Sequence, residues 1–429
     1  MANVVVLNAV GLTPELLPHA PRLASCGVAT PWKGSIPAVT STCQATMLTG
    51  KPPNQHGIVA NGWYFRDTAE IRFWQQSNHL VQGEKFYEGY PTAKMFWWYN
   101  QHAPVTWSAT PKPHYGCDGS KVFDILDQTG CRLTDRLGAF PFWAFWGPKA
   151  GLDSTQWIAK ATSLVLREQR PQLTLVYLPH LDYDFQRYDI QDPQRVAELD
   201  RCAGEVLDAA ESIGAIPIVV SEYGLSPVHH PIYLQRALRQ AGYLEIRKGP
   251  FGEMLIPGDC RAFAVVDHQI AHIYVKPGED RIAVRRLVES IECVDLVAEP
   301  GDLQLDHPRS GDWIAVAKPD AWFAYPYWRD DSAAPDFART VDIHRKPGYD
   351  PAELFMTSGL RAAGRLLQKK LGFRYRMDVV PLDASLVRGS HGRLVEGPKG
   401  PLVIGPAAPE EMTSFFGYVR SLLGPPRLQ

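Results

Sequence analysis

The sequence predicts an α/β fold in which helices cover both faces of a mostly parallel sheet, and three observations carry that expectation. Short apolar, β-branched runs recur as VVVL at 4–7, LTLVYL at 173–178, IPIVV at 216–220 and AHIYV at 271–275. Helical periodicity occupies 155–168 and 193–213, and strands alternating with helices build a covered parallel sheet. The first three runs end in polar residues: Asn8, then His180 and Asp182, then Ser221 and Glu222. Ligands of doubly wound sheets sit outside the carboxyl ends of the strands, so these polar ends define the expected crevice.

The 429 residues suit one large α/β domain with insertions or two domains sharing a core. Apolar residues at 45%, charged residues at 21% and 12 Trp exclude a disordered or fibrous chain. With 44 basic and 46 acidic residues the formal charge is -2, which gives no global field for nucleic acid or an anionic membrane. No stretch approaches the ~20 apolar residues of a membrane span. MANVVVLNAVGL enters a strand without a basic leader, so a cytoplasmic protein without membrane or nucleic-acid partners is expected. Cys26, Cys43, Cys117, Cys131, Cys202, Cys260 and Cys293 are odd in number and never form C-x-x-C, which predicts free thiols and no thiolate zinc site.

Two stretches break the strand and helix rhythm. Residues of about 60–150 hold seven of the 12 Trp with many Gly and Pro, and read as an aromatic-rich, cap-like insertion. Its rings serve core packing, with stacking on a ring-bearing substrate as the functional alternative. A second loop-rich insertion is expected over about 300–385, where WFAYPYWRDD (322–331) leads into DFARTVDIHRKPGYDP (336–351).

The chemistry concentrates between Pro37 and Asp67, PAVTSTCQATMLTGKPPNQHGIVANGWYFRD. Thr40, Ser41 and Thr42 precede a short helical pattern through about Leu48, placing hydroxyls and backbone N–H groups at a helix N-terminus, a ready phosphate site. Thr40 is then either the helix cap or a nucleophile, and capping chemistry alone favours the cap.

In the order P-x-x-T, T-x-x-T-G, P-x-x-H-G-I and Asn, this segment resembles the nucleophile region of the alkaline phosphatase superfamily, in its nucleotide pyrophosphatase/phosphodiesterase and phosphonoacetate hydrolase branches. The resemblance extends to the N-terminal strand, to 175–188, to 216–245 and to Ser390-His391-Gly392, and implies an α/β/α sandwich as one catalytic domain over 1–429. It implies that Thr40 attacks phosphorus, that Asn61 touches a phosphoryl oxygen, and that His56 of H-G-I is structural. It also implies divalent metal ions, zinc in the family, because an unassisted threonine hydroxyl is a poor nucleophile.

Four of the six ligand positions depart from the family pattern: Asn8 stands for Asp, Gln186 for His, and Glu222-Tyr223 for Asp-His, while Asp182 and His391 match. The metal set expected from the resemblance is Asn8, Asp182, Glu222 and His391. Gln186, Tyr223, Asp342 and His344 are further possible ligands, and Arg345 and Lys346 are candidates to grip a phosphate. An oxygen-rich set favours manganese or magnesium over zinc. The expected function is hydrolysis of a small phosphodiester or phosphonate-like substrate through a phosphothreonine intermediate. Its rival is a noncatalytic protein that binds a phosphorylated ligand, with Asp182 and Glu222 capping strand ends or pairing with Arg or Lys.

Overall fold

The computed structural model describes residues 2–116 and 121–425, and Cys117 lies outside them. These residues form two compact units, one of residues up to 58 with 76–225 and 394 onward, the other of 59–75 and 226–393. The strands of the two larger sheets are, in chain order, β1 (Asn3–Ala9), β2 (Val28–Pro31), β3 (Thr92–Met95), β4 (Trp107–Pro111), β5 (Ile125–Asp127), β6 (Leu173–Leu178), β7 (Ala215–Val220), β8 (Ala262–Asp267), β9 (Ile270–Val275), β10 (Val294–Ala298), β11 (Trp313–Ala317) and β12 (Leu402–Gly405). The helices used below are α1 (Thr40–Thr49), α2 (Leu152–Gln169), α3 (His180–Arg187), α4 (Pro193–Ser212), α5 (Gly359–Lys370) and α6 (Phe415–Leu423).

The first unit is built on one eight-stranded sheet in the order β2, β12, β7, β1, β6, β3, β4, β5. The five central strands, β7 to β4 in that order, run parallel, while β12, β2 and β5 join antiparallel at the edges. Val4 to Leu7 and Leu173 to Leu178 are buried on both faces, as a sheet covered on both sides requires. Helix α2 packs with α4 and α6 packs with α1, forming the helical layers that flank the sheet. The α/β expectation is met. Strand β6 has the expected bounds, α2 encloses the first helical pattern, and α4 covers the second to within its last residue.

The run at 271–275 is a strand, but it belongs to the second unit, where β9 lies in an antiparallel sheet of order β8, β9, β11, β10. Periodicity marks an apolar strand without naming its partner. The stretch of about 60–150 is divided: 59–75 forms a hairpin of the second unit, and 76–150 lies in the first and supplies β3, β4 and β5 of its sheet. Trp63, Trp97 and Trp98 are buried. The stretch of about 300–385 lies in the second unit and contributes β11 and α5 besides loops. All six described cysteines are free thiols. Among the described residues no helix is long and apolar enough to cross a membrane.

Candidate functional site

Thr40 is the first residue of α1, and the helix cap is Val39 in extended conformation, with no side-chain cap hydrogen bond. This corrects the capping alternative. The Thr40 hydroxyl is instead 2.9 Å from the Tyr223 hydroxyl, and Tyr223 donates to Asp182 Oδ1 at 3.3 Å. Tyr177 and Glu222 are buried neighbours at the same strand ends, and burial pushes both the phenol and the carboxyl up. The first turn of a helix leaves N–H groups without intrahelical acceptors, so α1 offers anion-binding donors beside this hydroxyl. All ten residues of α1 are buried, and the helix closes at Gly50 in the left-handed region, φ 64°. A Cβ at Gly50 would approach Phe416 Cβ to 2.7 Å, so both conformation and space call for glycine.

The parallel register sets Asn8 opposite Tyr177 of β6 and Val220 of β7, which brings the polar ends of the three central strands together. Glu222 Oε1 accepts from Asn8 Nδ2 at 2.5 Å and from Gln44 Nε2 at 2.6 Å, while Gln44 Oε1 accepts from the Trp98 backbone N–H at 2.8 Å. Burial pushes the Glu222 carboxyl up to about 8, against the pull of the Gln44 and Asn8 hydrogen bonds, so the group is mostly a neutral acid at pH 7. On α3, Gln186 donates to Asp182 Oδ2 at 2.9 Å, one helical turn along. Burial first, then the charges of Asp182 and Glu222, hold the Tyr223 phenol well above its ordinary value, so it keeps its proton. Ser221 fixes the strand end that presents Glu222: its N–H donates to Leu402 O and its hydroxyl accepts from Leu402 N–H, each at 2.9 Å. Gly224 passes so close to Lys399 that a Cβ there would lie 1.9 Å from its carbonyl oxygen.

Among the described residues no group of three or more His, Cys, Asp or Glu side chains is gathered to hold a metal. A pair of metal ions does not fit the first unit's ligand positions. Asp182 is engaged by Gln186 and Tyr223, one Glu222 oxygen is taken by two amides, and no imidazole stands among them. Asn8 Oδ1 and Glu222 Oε2 are buried acceptors that meet no donor among the described residues.

The other expected site residues belong to the second unit. Asn61 donates to Asp267 from both its backbone, at 2.7 Å, and its side chain, at 3.2 Å. Burial raises Asp267 to about 6, opposed by the Asn61 backbone hydrogen bond and by His391. His391 and Tyr349 both pack on the His268 ring, with centroids 3.6 and 3.7 Å away. The two nitrogens of His272 meet Gly311 N–H and Val59 O, at 3.2 and 3.0 Å, which makes it a structural histidine. His344 Nδ1 is 3.3 Å from Phe73 O, and the Asp342 N–H donates to Glu353 at 2.7 Å. Arg345 is exposed and 3.6 Å from Asp336. Lys346 is not on the solvated face its sequence setting suggests. It is buried with Nζ at 2.7 Å from Asp350 Oδ2 and Glu353 Oε1.

In the first unit, His56 has Nδ1 accepting from Ile58 N–H, so Nε2–H donates to Thr46 Oγ1 at 3.0 Å and the ring is consumed structurally. Sequence reasoning missed Gln44 and Tyr177. Gln44 lies four residues beyond Thr40 on one helix, a spacing that puts both on the same face, and Tyr177 becomes visible only once the strand register is known.

The sequence profile of the family "Type I phosphodiesterase / nucleotide pyrophosphatase" matches residues 4–350. The chain belongs to this family. Phosphonoacetate hydrolase from Sinorhizobium meliloti is similar in fold, at 16% identity over 99% of this chain and 96% of that one, with TM-scores of 0.60 for its complex with phosphonoformate and 0.62 with phosphonoacetate. Human ectonucleotide pyrophosphatase / phosphodiesterase 5 is also similar, at 13% identity over 98% of this chain and 94% of that one, with a TM-score of 0.56. No curated protein matches the chain. Within the phosphodiesterase family, the fold of this member is the alkaline-phosphatase-like α/β/α arrangement expected from its sequence.

Proposed function

We propose that the chain hydrolyses small phosphoric esters or phosphonate-like anions, with Thr40 as the nucleophile and a phosphothreonine intermediate. Membership of the phosphodiesterase family supports the reaction class. The observation that carries the residue assignment is the hydroxyl relay Thr40, Tyr223, Asp182 at the start of α1. In the first step Thr40 Oγ1 bonds to phosphorus as the ester P–O bond breaks, and the leaving oxygen departs as the alcohol with a proton from solvent. The Thr40 proton passes to the Tyr223 oxygen while Tyr223 hands its own to Asp182, so the phenol never has to bear charge. Backbone N–H groups of the first turn of α1 steady the phosphoryl oxygens. Neutral Glu222, with Oε2 unused, supplies a further hydrogen-bond donor. In the second step water attacks phosphorus and gives up a proton to solvent, the P–Oγ1 bond breaks, and Thr40 recovers its proton from Asp182 through Tyr223. The assignment of Asn61 as a phosphoryl-oxygen donor rests on the family pattern.

A single oxygen-bound ion, manganese or magnesium in preference to zinc, is a second reading for Asn8 and Glu222, favoured by their two unpartnered oxygens. Such an ion would neutralise phosphoryl charge. Binding without turnover is the remaining alternative, and it is favoured by the neutral clamps on both carboxyl groups.

The kinetic test uses an activated aryl phosphodiester with Thr40→Ala, Tyr223→Phe and Asn61→Ala. Thr40→Ala should abolish turnover and the mass shift of a trapped phosphoenzyme, at a cost of about 0.5–1.5 kcal/mol in stability for the hydrogen bond lost to Tyr223. Asn61→Ala should lose on the order of a hundredfold if it stabilises an oxyanion. Unchanged turnover in Thr40→Ala would refute the nucleophile assignment. Tight binding of AMP or phosphonoacetate by an inert wild type would establish the binding reading.

A further inference from the structure

Helix α5 of the second unit has its amphipathic faces turned the opposite way from those of an ordinary surface helix. It contains no buried residue. Leu360 and Leu367 lie seven apart on one stripe that continues to Leu371 at the C-terminal cap, and are 88%, 57% and 62% exposed, with Leu366 at 56% beside them and Phe373 at 64% just beyond. The face turned inward is polar. Arg361 donates to the Asp378 carbonyl at 2.9 Å, and Arg365 Nε and Nη2 grip the Asp378 carboxylate at 2.7 and 3.0 Å. Against the upward push of burial, these two guanidinium groups hold Asp378 down at about 2, so the clamp persists across the working pH range. The apolar face is thus held outward by its own charged face, where it adds nothing to a core.

The charge around that face is one-sided. Arg361, Arg365, Lys369, Lys370, Arg374 and Arg376 are the ionised residues between Gly359 and Met377, and no Asp or Glu lies among them. Arg361 and Arg365 are spent on Asp378. Lys369, Lys370, Arg374 and Arg376 form no ion pair among the described residues. The overall charge of -2 hides this segment, which is why the sequence average excluded a membrane partner.

We propose that α5 and the turn after it lie in the headgroup layer of an anionic lipid surface, with the leucines and Phe373 inserted and Lys369, Lys370, Arg374 and Arg376 among the headgroups. An outward apolar stripe bordered by Lys and Arg is the chemistry of an interfacial helix. A second copy of the chain fits less well, because the same four cations would face their like across a two-fold contact. A phosphate backbone would attract the cations but leave the leucines without a partner. The proposal is independent of the chemistry assigned to Thr40.

The test is co-sedimentation of the full chain with vesicles of phosphatidylcholine alone and with phosphatidylglycerol added. Binding is expected only to the anionic vesicles, and it should weaken as salt rises. Lys369→Gln with Lys370→Gln should lower the partition coefficient by about thirtyfold, since each cation near such a surface contributes a factor of about five. Leu360→Gln with Leu367→Gln should lower it by about tenfold or more while leaving the melting temperature unchanged, because neither side chain is packed. Failure to bind anionic vesicles, or equal binding to both kinds, would overturn the proposal. So would a dimer in lipid-free solution that the leucine variant dissociates, which would assign the face to a second copy.

Discussion

At Lys346 the interior holds a full charge together with its counter-charges, the ammonium lying 2.7 Å from a carboxylate oxygen of Asp350 and another of Glu353. Burial alone would push that ammonium down, yet the two carboxylates raise it above its ordinary value. At Glu222 burial is just as deep, but Oε1 is met by the amides of Asn8 and Gln44, neither of which carries charge. A matched cluster is finished chemistry that fastens a loop. Glu222 keeps its proton and leaves Oε2 to spare, an electrostatic deficit suited to an incoming group.

The comparison breaks most visibly if the counter-charge is taken away. Lys346→Met should destabilise the protein by about 3–5 kcal/mol at neutral pH, because two buried carboxylates lose their cation. Chemical denaturation checks this, and the loss should shrink in acid as the carboxyl groups protonate. A neutral effect at pH 7 would mean that solvent reaches the cluster.

The opposite behaviour is expected at Glu222. Its folded value of about 8 lies above the ordinary 4.5, so its neutral form contributes stability that is full below about 4.5 and lost as pH rises through about 8. Glu222→Gln keeps the neutral shape and removes the titration. The variant should therefore gain on wild type as pH is raised, with a slope of at most about 1.4 kcal/mol per pH unit. Parallel melting curves for the two proteins across that window would show that Glu222 is ionised throughout.

The smallest effect expected is the response to metal. Protein stripped with EDTA should recover activity with manganese or magnesium more than with zinc, and Gln186→His with Tyr223→His should shift uptake toward zinc, measured by metal analysis of the purified variants. Best activity with zinc in the native sequence would reject the oxygen-ligand reading.

Local signals carried most of the fold into the sequence: β6 and the α4 pattern are written in residues that are neighbours along the chain. The wiring of the site is not. Glu222 and Gln44 are 178 positions apart, and Glu222 and Asn8 are 214 apart, so their pairing depends on strand order. Thr40 was legible as a hydroxyl at a helix start, but that its hydroxyl meets Tyr223 instead of capping the helix depends on a partner that no local rule supplies. Lys346, named as a candidate phosphate grip, is a similar case, since the carboxylates of Asp350 and Glu353 that engage it are not marked by any local rule. The outward leucines of α5 follow a helical period that, read alone, would have been assigned to a core.

Strand β12 has a consequence for how this protein comes off the ribosome. Ser221, and through it the carboxyl at 222, is fastened by Leu402, and the edge strand β2 has β12 as its neighbour in the sheet. A nascent chain holding only the first 400 residues has every group of the Thr40 relay in hand and lacks the strand that sets their positions. Nicking the chain between units before residue 402 should therefore silence the protein while leaving every proposed reacting residue of the relay in the larger fragment.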